Sequence, residues 1–171
     1  LCCNAVGDYH TARLDRNETG RDPMTDTHTP IDKLDGHCLC GAVSLSVASA
    51  KPLVDVCHCD MCRRWGGGPL MGMSGASFTI AGKEHVTSYA SSDWAERAFC
   101  SKCGTNLWYR FVPSDLYSFT AGLFDIRDGV EIEQQIFVDE KPDFYDFAQQ
   151  TPMKTGAEII AEAEAAGNSF D

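Results

Sequence analysis

A chain of 171 residues with 43% hydrophobic and 23% charged residues has room for one domain with a real core, and its composition excludes collagen-like, coiled-coil and wholly disordered architectures. Lys and Arg number 14 against 25 Asp and Glu, and the formal charge of -11 repels phosphate backbones and anionic lipid surfaces, which argues against nucleic-acid and membrane partners. No run is long enough to cross a bilayer and no signal-peptide pattern is present, so a cytoplasmic location is expected; in that reducing compartment nine cysteines point to metal ligation or thiol chemistry rather than a disulfide scaffold.

In chain order, residues 1–30 are polar, rich in breakers and without hydrophobic period, and are expected to form a disordered tail. Met24 offers a translation start, so the residues before it are expected to lie outside the folded domain and to be non-native or flexible. Residues 34–147 hold the domain. Ala42–Val47 alternates apolar and small polar residues as a half-buried strand does. Val54–Cys57, Ser77–Ile80, Val86–Tyr89, Arg97–Cys100, Asn106–Phe111, Tyr117–Ala121 and Ile132–Val138 are short, rich in β-branched and aromatic residues, and separated by Gly, Asp, Ser or Pro. The spacing predicts an all-β fold, a meander of short antiparallel strands, rather than βαβ units. Residues 148–171 form a C-terminal extension. Its Thr155-Gly156-Ala157-Glu158 fits a capping box, which predicts one helix over 157–166 that packs Ile159 and Ile160 on the sheet. Trp94, Trp108, Tyr109, Phe111, Tyr117 and Phe119 are expected to pack in the core.

Three cysteine clusters carry the chemistry: Cys38-Leu-Cys40-Gly41, Cys57-His-Cys59-Asp-Met-Cys62, and Cys100-Ser-Lys-Cys103-Gly104. Cys-x-Cys and Cys-x-x-Cys let two thiolates of one tight turn reach an ion about 2.3 Å away. The first and third clusters each end in a glycine, where a metal-binding turn often needs freedom from Cβ sterics. Together Cys38, Cys40, Cys100 and Cys103 complete the four-sulfur shell of a structural zinc, clamping segments far apart in sequence. The middle cluster has three sulfurs. Cys57, Cys59 and Cys62 would leave an open position on a second zinc, the usual arrangement for catalysis. Two other readings stay open: closure of that shell by His58 or Asp60, and a redox dithiol in Cys59-x-x-Cys62. Arg63 and Arg64 follow Cys62 directly and are candidates for balancing the cluster's charge or gripping a substrate carboxylate. No phosphate-binding loop, dinucleotide fingerprint, Gly-x-Ser-x-Gly elbow or His-Glu-x-x-His helix is present.

These clusters, with Gly36-His before the first, Arg63-Arg64 after the second, Thr105-Asn-Leu107 after the third, and the later Gly122-Leu-Phe-Asp125 and Phe137-Val-Asp-Glu-Lys141-Pro142, resemble the GFA domain, named after the glutathione-dependent formaldehyde-activating enzyme. The resemblance implies a β-tent of folded sheets with two zinc sites: Cys38, Cys40, Cys100 and Cys103 hold the structural ion, and Cys57, Cys59 and Cys62 hold the second, where glutathione sulfur competes. It also implies a carbon–sulfur lyase that adds glutathione or a like thiol to formaldehyde or a like aldehyde. The alternative is a non-catalytic zinc or glutathione carrier or interaction module. Zinc sets a limit on what it alone would give: a thiol of pKa about 8.5 is roughly 3% ionised at pH 7, so full ionisation gains at most about 30-fold. A pocket that holds thiol and carbonyl together is therefore expected beside Cys57–Cys62.

Overall fold

The computed structural model describes residues 28–168. The expected tail therefore lies almost wholly outside the described residues, as do Cys2 and Cys3. Among those described, the strands are β1 (Ile31–His37), β2 (Ser44–Ala50), β3 (Leu53–Cys57), β4 (Leu70–Met73), β5 (Ser77–Ala81), β6 (Val86–Ser92), β7 (Ala95–Cys100), β8 (Asn106–Phe111), β9 (Leu116–Thr120), β10 (Glu131–Ile136) and β11 (Met153–Lys154). The helices are α1 (Asp60–Gly66) and α2 (Gly156–Ala165).

Two sheets fold against each other. One has the order β1-β2-β5, and the other runs β11-β10-β3-β4-β9-β8-β7-β6. Alternation makes the first sheet one-sided: Leu45 and Val47 of β2 turn inward while Ser44 is exposed. Across from them stand Val54 and Val56 of β3, Met73 of β4, Ala98 of β7, Leu107 and Trp108 of β8, and Phe119 of β9, all buried. Phe78 of β5 joins the layers, with its ring 5.0 Å from that of Phe119 and 5.8 Å from that of Trp108. The mainly β class is as the sequence predicts.

Three features differ from the sequence expectation. The first is pairing: β10 runs parallel to both β3 and β11, so the sheet is mixed rather than a pure antiparallel meander. The long connection after β9 brings the chain back across the sheet, and β10 then enters beside β3 in the same direction. The second is α1, a single helix of seven residues in the stretch after Cys59. It opens because Cys59 caps it, accepting the Cys62 N–H on its sulfur at 3.4 Å, and it ends at Gly67 with φ of 77°. The third is three strands that the sequence does not predict: β1 and β11 at the edges of their sheets, and β4, whose Leu70-Met-Gly-Met lacks β-branched residues and is held by pairing with β3 and β9. In the extension, β11 adds to the sheet edge and α2 starts with both halves of the capping box formed.

Candidate metal centre and active site

Cys38 and Cys40 follow β1, while Cys100 ends β7 and Cys103 lies in the turn to β8. Both turns close with the same contact: the Gly41 N–H donates to the Cys38 carbonyl at 2.9 Å, and the Gly104 N–H to the Cys100 carbonyl at 2.8 Å. Gly41 and Gly104 sit at φ of 72° and 74°, where any Cβ would be strained. The four sulfurs lie within 4.8 Å of one another, with Cys38 Sγ 3.6 Å from Cys40 Sγ and Cys40 Sγ 3.9 Å from Cys100 Sγ. A tetrahedral zinc–thiolate shell has sulfur–sulfur edges of about 3.8 Å, so the soft donor set and its spacing both fit zinc. Thr105 hydrogen-bonds Cys103 and lowers its pKa to about 5, so this cage presents a thiolate ready for a cation. The cluster joins the end of the small sheet to the large one.

Cys57 ends β3, and Cys59 and Cys62 bracket the start of α1; their three sulfurs also lie within 4.8 Å of one another. Hydrogen bonding among them splits the protons. Cys59 is a donor target of Cys57 and Cys62 and is held far below the ordinary thiol range, while the same contact with Cys59 pushes Cys57 far above it. Among the described residues, no fourth ligand completes the shell. His58 is fully buried, and its ring points the other way: Nε2 donates to Gln135 Oε1 at 3.0 Å and Nδ1 accepts from the Tyr145 hydroxyl at 2.8 Å. Gln135 is itself oriented by donating to Thr151 Oγ1 at 3.0 Å. Burial lowers the His58 pKa, which keeps the ring neutral. Asp60 turns outward to Arg64 at 2.9 Å and Arg63 at 3.6 Å. Neither candidate for closure faces the sulfurs.

The two arginines proposed from sequence lie on the same outer face. Arg63 Nε donates to the His58 carbonyl at 2.8 Å, Arg64 is largely exposed, and both border a shallow depression with Gly67, Gly68 and Tyr145. The cation that does reach the sulfurs is Arg97 of β7, only 3% exposed, whose guanidinium donates to Cys62 Sγ at 3.5 Å and stacks over Trp65 and Tyr109 at 5.7 and 5.3 Å. It also donates to the Ser91 hydroxyl. Sequence reasoning passed over Arg97, although its inward phase in β7, in step with buried Ala95, was a usable signal.

The three-cysteine cluster opens on a cavity of about 580 Å³. Trp94, Tyr109 and Phe111, expected in the core, line it instead; Trp108 and Phe119 are core as expected. Ile136 and Phe137 form another wall, and Ile159 and Ile160 of α2 form a third. Ile160, expected to pack on the sheet, is 40% exposed at the rim. Burial raises the Tyr109 pKa to about 12, so its hydroxyl keeps its proton. No helix among the described residues is long and apolar enough to cross a membrane.

Fold and site together define a class: a small, mainly β protein with two cysteine clusters that can hold metal ions, one saturated by four sulfurs and one opening on a cavity. Within that class the chain belongs to the GFA family, whose model, described as glutathione-dependent formaldehyde-activating enzyme, matches residues 33–140 and so includes both clusters. The chain is 38% identical over 132 residues to an uncharacterized lyase of Schizosaccharomyces pombe, covering 76% of this chain and 96% of the relative. It is also 38% identical over 85 residues to a Halomonas elongata protein named for the same family, covering 44% of this chain and 54% of that one. A Rhodobacter sphaeroides protein of solved structure aligns with a TM-score of 0.46 at 22% identity, over 58% of this chain and 99% of the other.

Proposed function

We propose that this protein is a zinc-dependent carbon–sulfur lyase that catalyses reversible addition of a small thiol, glutathione or a like compound, to an aldehyde above Cys57, Cys59 and Cys62. In the forward direction a carbon–sulfur bond forms, the carbonyl π bond breaks, and the thiol proton ends on the carbonyl oxygen, with no net redox change. The observation that carries this reading is the three-sulfur cluster facing a cavity while His58 and Asp60 are held away from it. Two zinc ions are expected, one in the cage of Cys38, Cys40, Cys100 and Cys103 and one at the open cluster, where its chemistry would be to acidify a thiol.

The side chains supply the rest. Arg97 offsets the negative charge of three thiolates in a buried site, which favours gathering them on one ion. Arg63 and Arg64 hold Asp60 away from the cluster and support the turn through the His58 carbonyl. Tyr109, which lines the cavity and keeps its phenolic proton, would donate to the oxygen that gains negative charge. The cavity walls exclude water and hold the two reactants together, which matters because acidifying the thiol contributes at most about 30-fold and a more acidic thiol is a weaker nucleophile. The chemistry needs reduced sulfurs, in keeping with a cytoplasmic setting.

NMR exchange spectroscopy of glutathione and formaldehyde, with and without the zinc-loaded protein, tests the reading. An accelerated exchange between free glutathione and its hydroxymethyl adduct is expected. Saturable glutathione binding with unchanged exchange would contradict catalysis and identify a carrier.

A further inference from the structure

The roof of the cavity comes from outside the stretch that matches the family. Residues 33–140 supply the sulfurs, Arg97, Tyr109 and Phe137, whereas Ile159, Ile160 and Ala163 come from α2. The helix is fixed there by several contacts. Gly156 donates to Asp139 Oδ1 at 2.8 Å, Lys154 pairs with Glu162 at 2.8 Å, and Gly156 leaves so little room that a Cβ would stand 2.8 Å from the Phe137 ring. Phe137 packs in turn against the three-cysteine cluster and holds a left-handed backbone at φ of 56°, a conformation that a bulky residue keeps only where its surroundings impose it. Helix, aromatic ring and sulfurs are thus one continuous packed unit.

The lining is mainly apolar. Trp94, Phe111, Ile136, Phe137, Ile159 and Ile160 line the apolar part of the wall, and among the described lining residues Arg97 is the only cation, already engaged with Cys62 and two rings. A one-carbon aldehyde would touch almost none of this apolar surface, whereas an alkyl or aryl tail would cover it.

We propose that the cavity binds apolar aldehydes, with the carbonyl toward Cys57, Cys59 and Cys62 and the tail under α2, and that the C-terminal helix sets this preference. The assignment rests on the thiol-addition reading for its chemistry, and the added step is the same redox-neutral one, with the thiol proton passing to the carbonyl oxygen.

The test has two independent arms on the zinc-loaded protein. With glutathione as thiol, kcat/KM is compared for propanal, butanal and octanal; an increase of about fourfold per methylene is expected until the chain fills the cavity. Separately, calorimetry measures binding of 1-octanol, an unreactive probe, to the wild type and to Ile160→Asp and Ile160→Leu. The aspartate variant is expected to lose about tenfold or more in octanol affinity while the leucine variant retains it. Ile160 lies at the rim, so both variants are expected to fold, which far-ultraviolet circular dichroism checks. A preference for propanal over octanal, or octanol binding that is absent or indifferent to Ile160→Asp, would overturn the proposal. Octanol binding that depends on Ile160, without turnover of any aldehyde, would support the apolar site and overturn thiol addition.

Discussion

At the scale of single residues, the open cluster depends on what its neighbours are doing. His58 lies between two ligands in sequence, yet its ring is committed to Gln135 and Tyr145 and stacks on Tyr145 at 5.6 Å. It therefore anchors β3 to β10 and to the loop after it, and leaves the metal shell to sulfur. His58→Ala removes a buried hydrogen-bonded ring and is expected to destabilise the fold by about 2–4 kcal/mol in urea denaturation, with both metal clusters still filling. Arg97 acts on the cluster itself. Arg97→Met is expected to lower stability by about 2–4 kcal/mol and to weaken metal retention at Cys57, Cys59 and Cys62 selectively, seen as faster transfer of one ion to a chromophoric chelator. Equal release from both clusters would contradict this role. The seven clustered cysteines could be read from spacing alone, because short-range turns bring each pair together. Arg97, Tyr109 and Gln135 could not be linked to them in that way, since strand pairing and sheet curvature, which spacing does not encode, place them there.

Elements show the same division. The capping box at Thr155 appears at the expected position because its four residues contain the whole of its hydrogen-bonding logic. The role of α2 as a roof was not legible, since its two isoleucines look like any amphipathic stripe until Phe137 and Trp94 are placed beneath them. Helix α1 went unpredicted for a related reason: its cap is a cysteine sulfur rather than Ser, Thr, Asp or Asn, and its seven residues carry too little periodicity. Two substitutions separate helix formation from docking. Thr155→Ala is expected to weaken α2 by about 1 kcal/mol, measured by hydrogen exchange of its amides. Gly156→Val would drive branched carbons into Phe137 and is expected to cost about 1–3 kcal/mol and to raise exchange throughout α2, while the amides of β2 and β8 keep their protection.

For the whole molecule, the four-cysteine cage is a staple between the two sheets. It links the end of β1 to the β7–β8 turn across 60 positions of sequence, so a metal held there would clamp distant segments and add its binding free energy to folding. Cys40→Ser is expected to abolish cooperative unfolding, whereas Cys59→Ser is expected to leave a folded protein short of one ion, checked by denaturation and metal analysis on the same samples. Metal binding displaces thiol protons, so affinity falls as pH falls. With one sulfur fewer, the open cluster is expected to release its ion at a higher pH than the cage does.

The central claim is that the two clusters differ in how many sulfurs the protein gives each ion. X-ray absorption spectroscopy at the zinc edge, on protein carrying two ions per chain, addresses it most directly. The expected result is a mixture of a four-sulfur shell and a three-sulfur shell with one lighter donor, converting to four sulfurs at both ions when excess glutathione is added. Two four-sulfur shells before the thiol is added, or a sulfur count unmoved by it, would contradict the account.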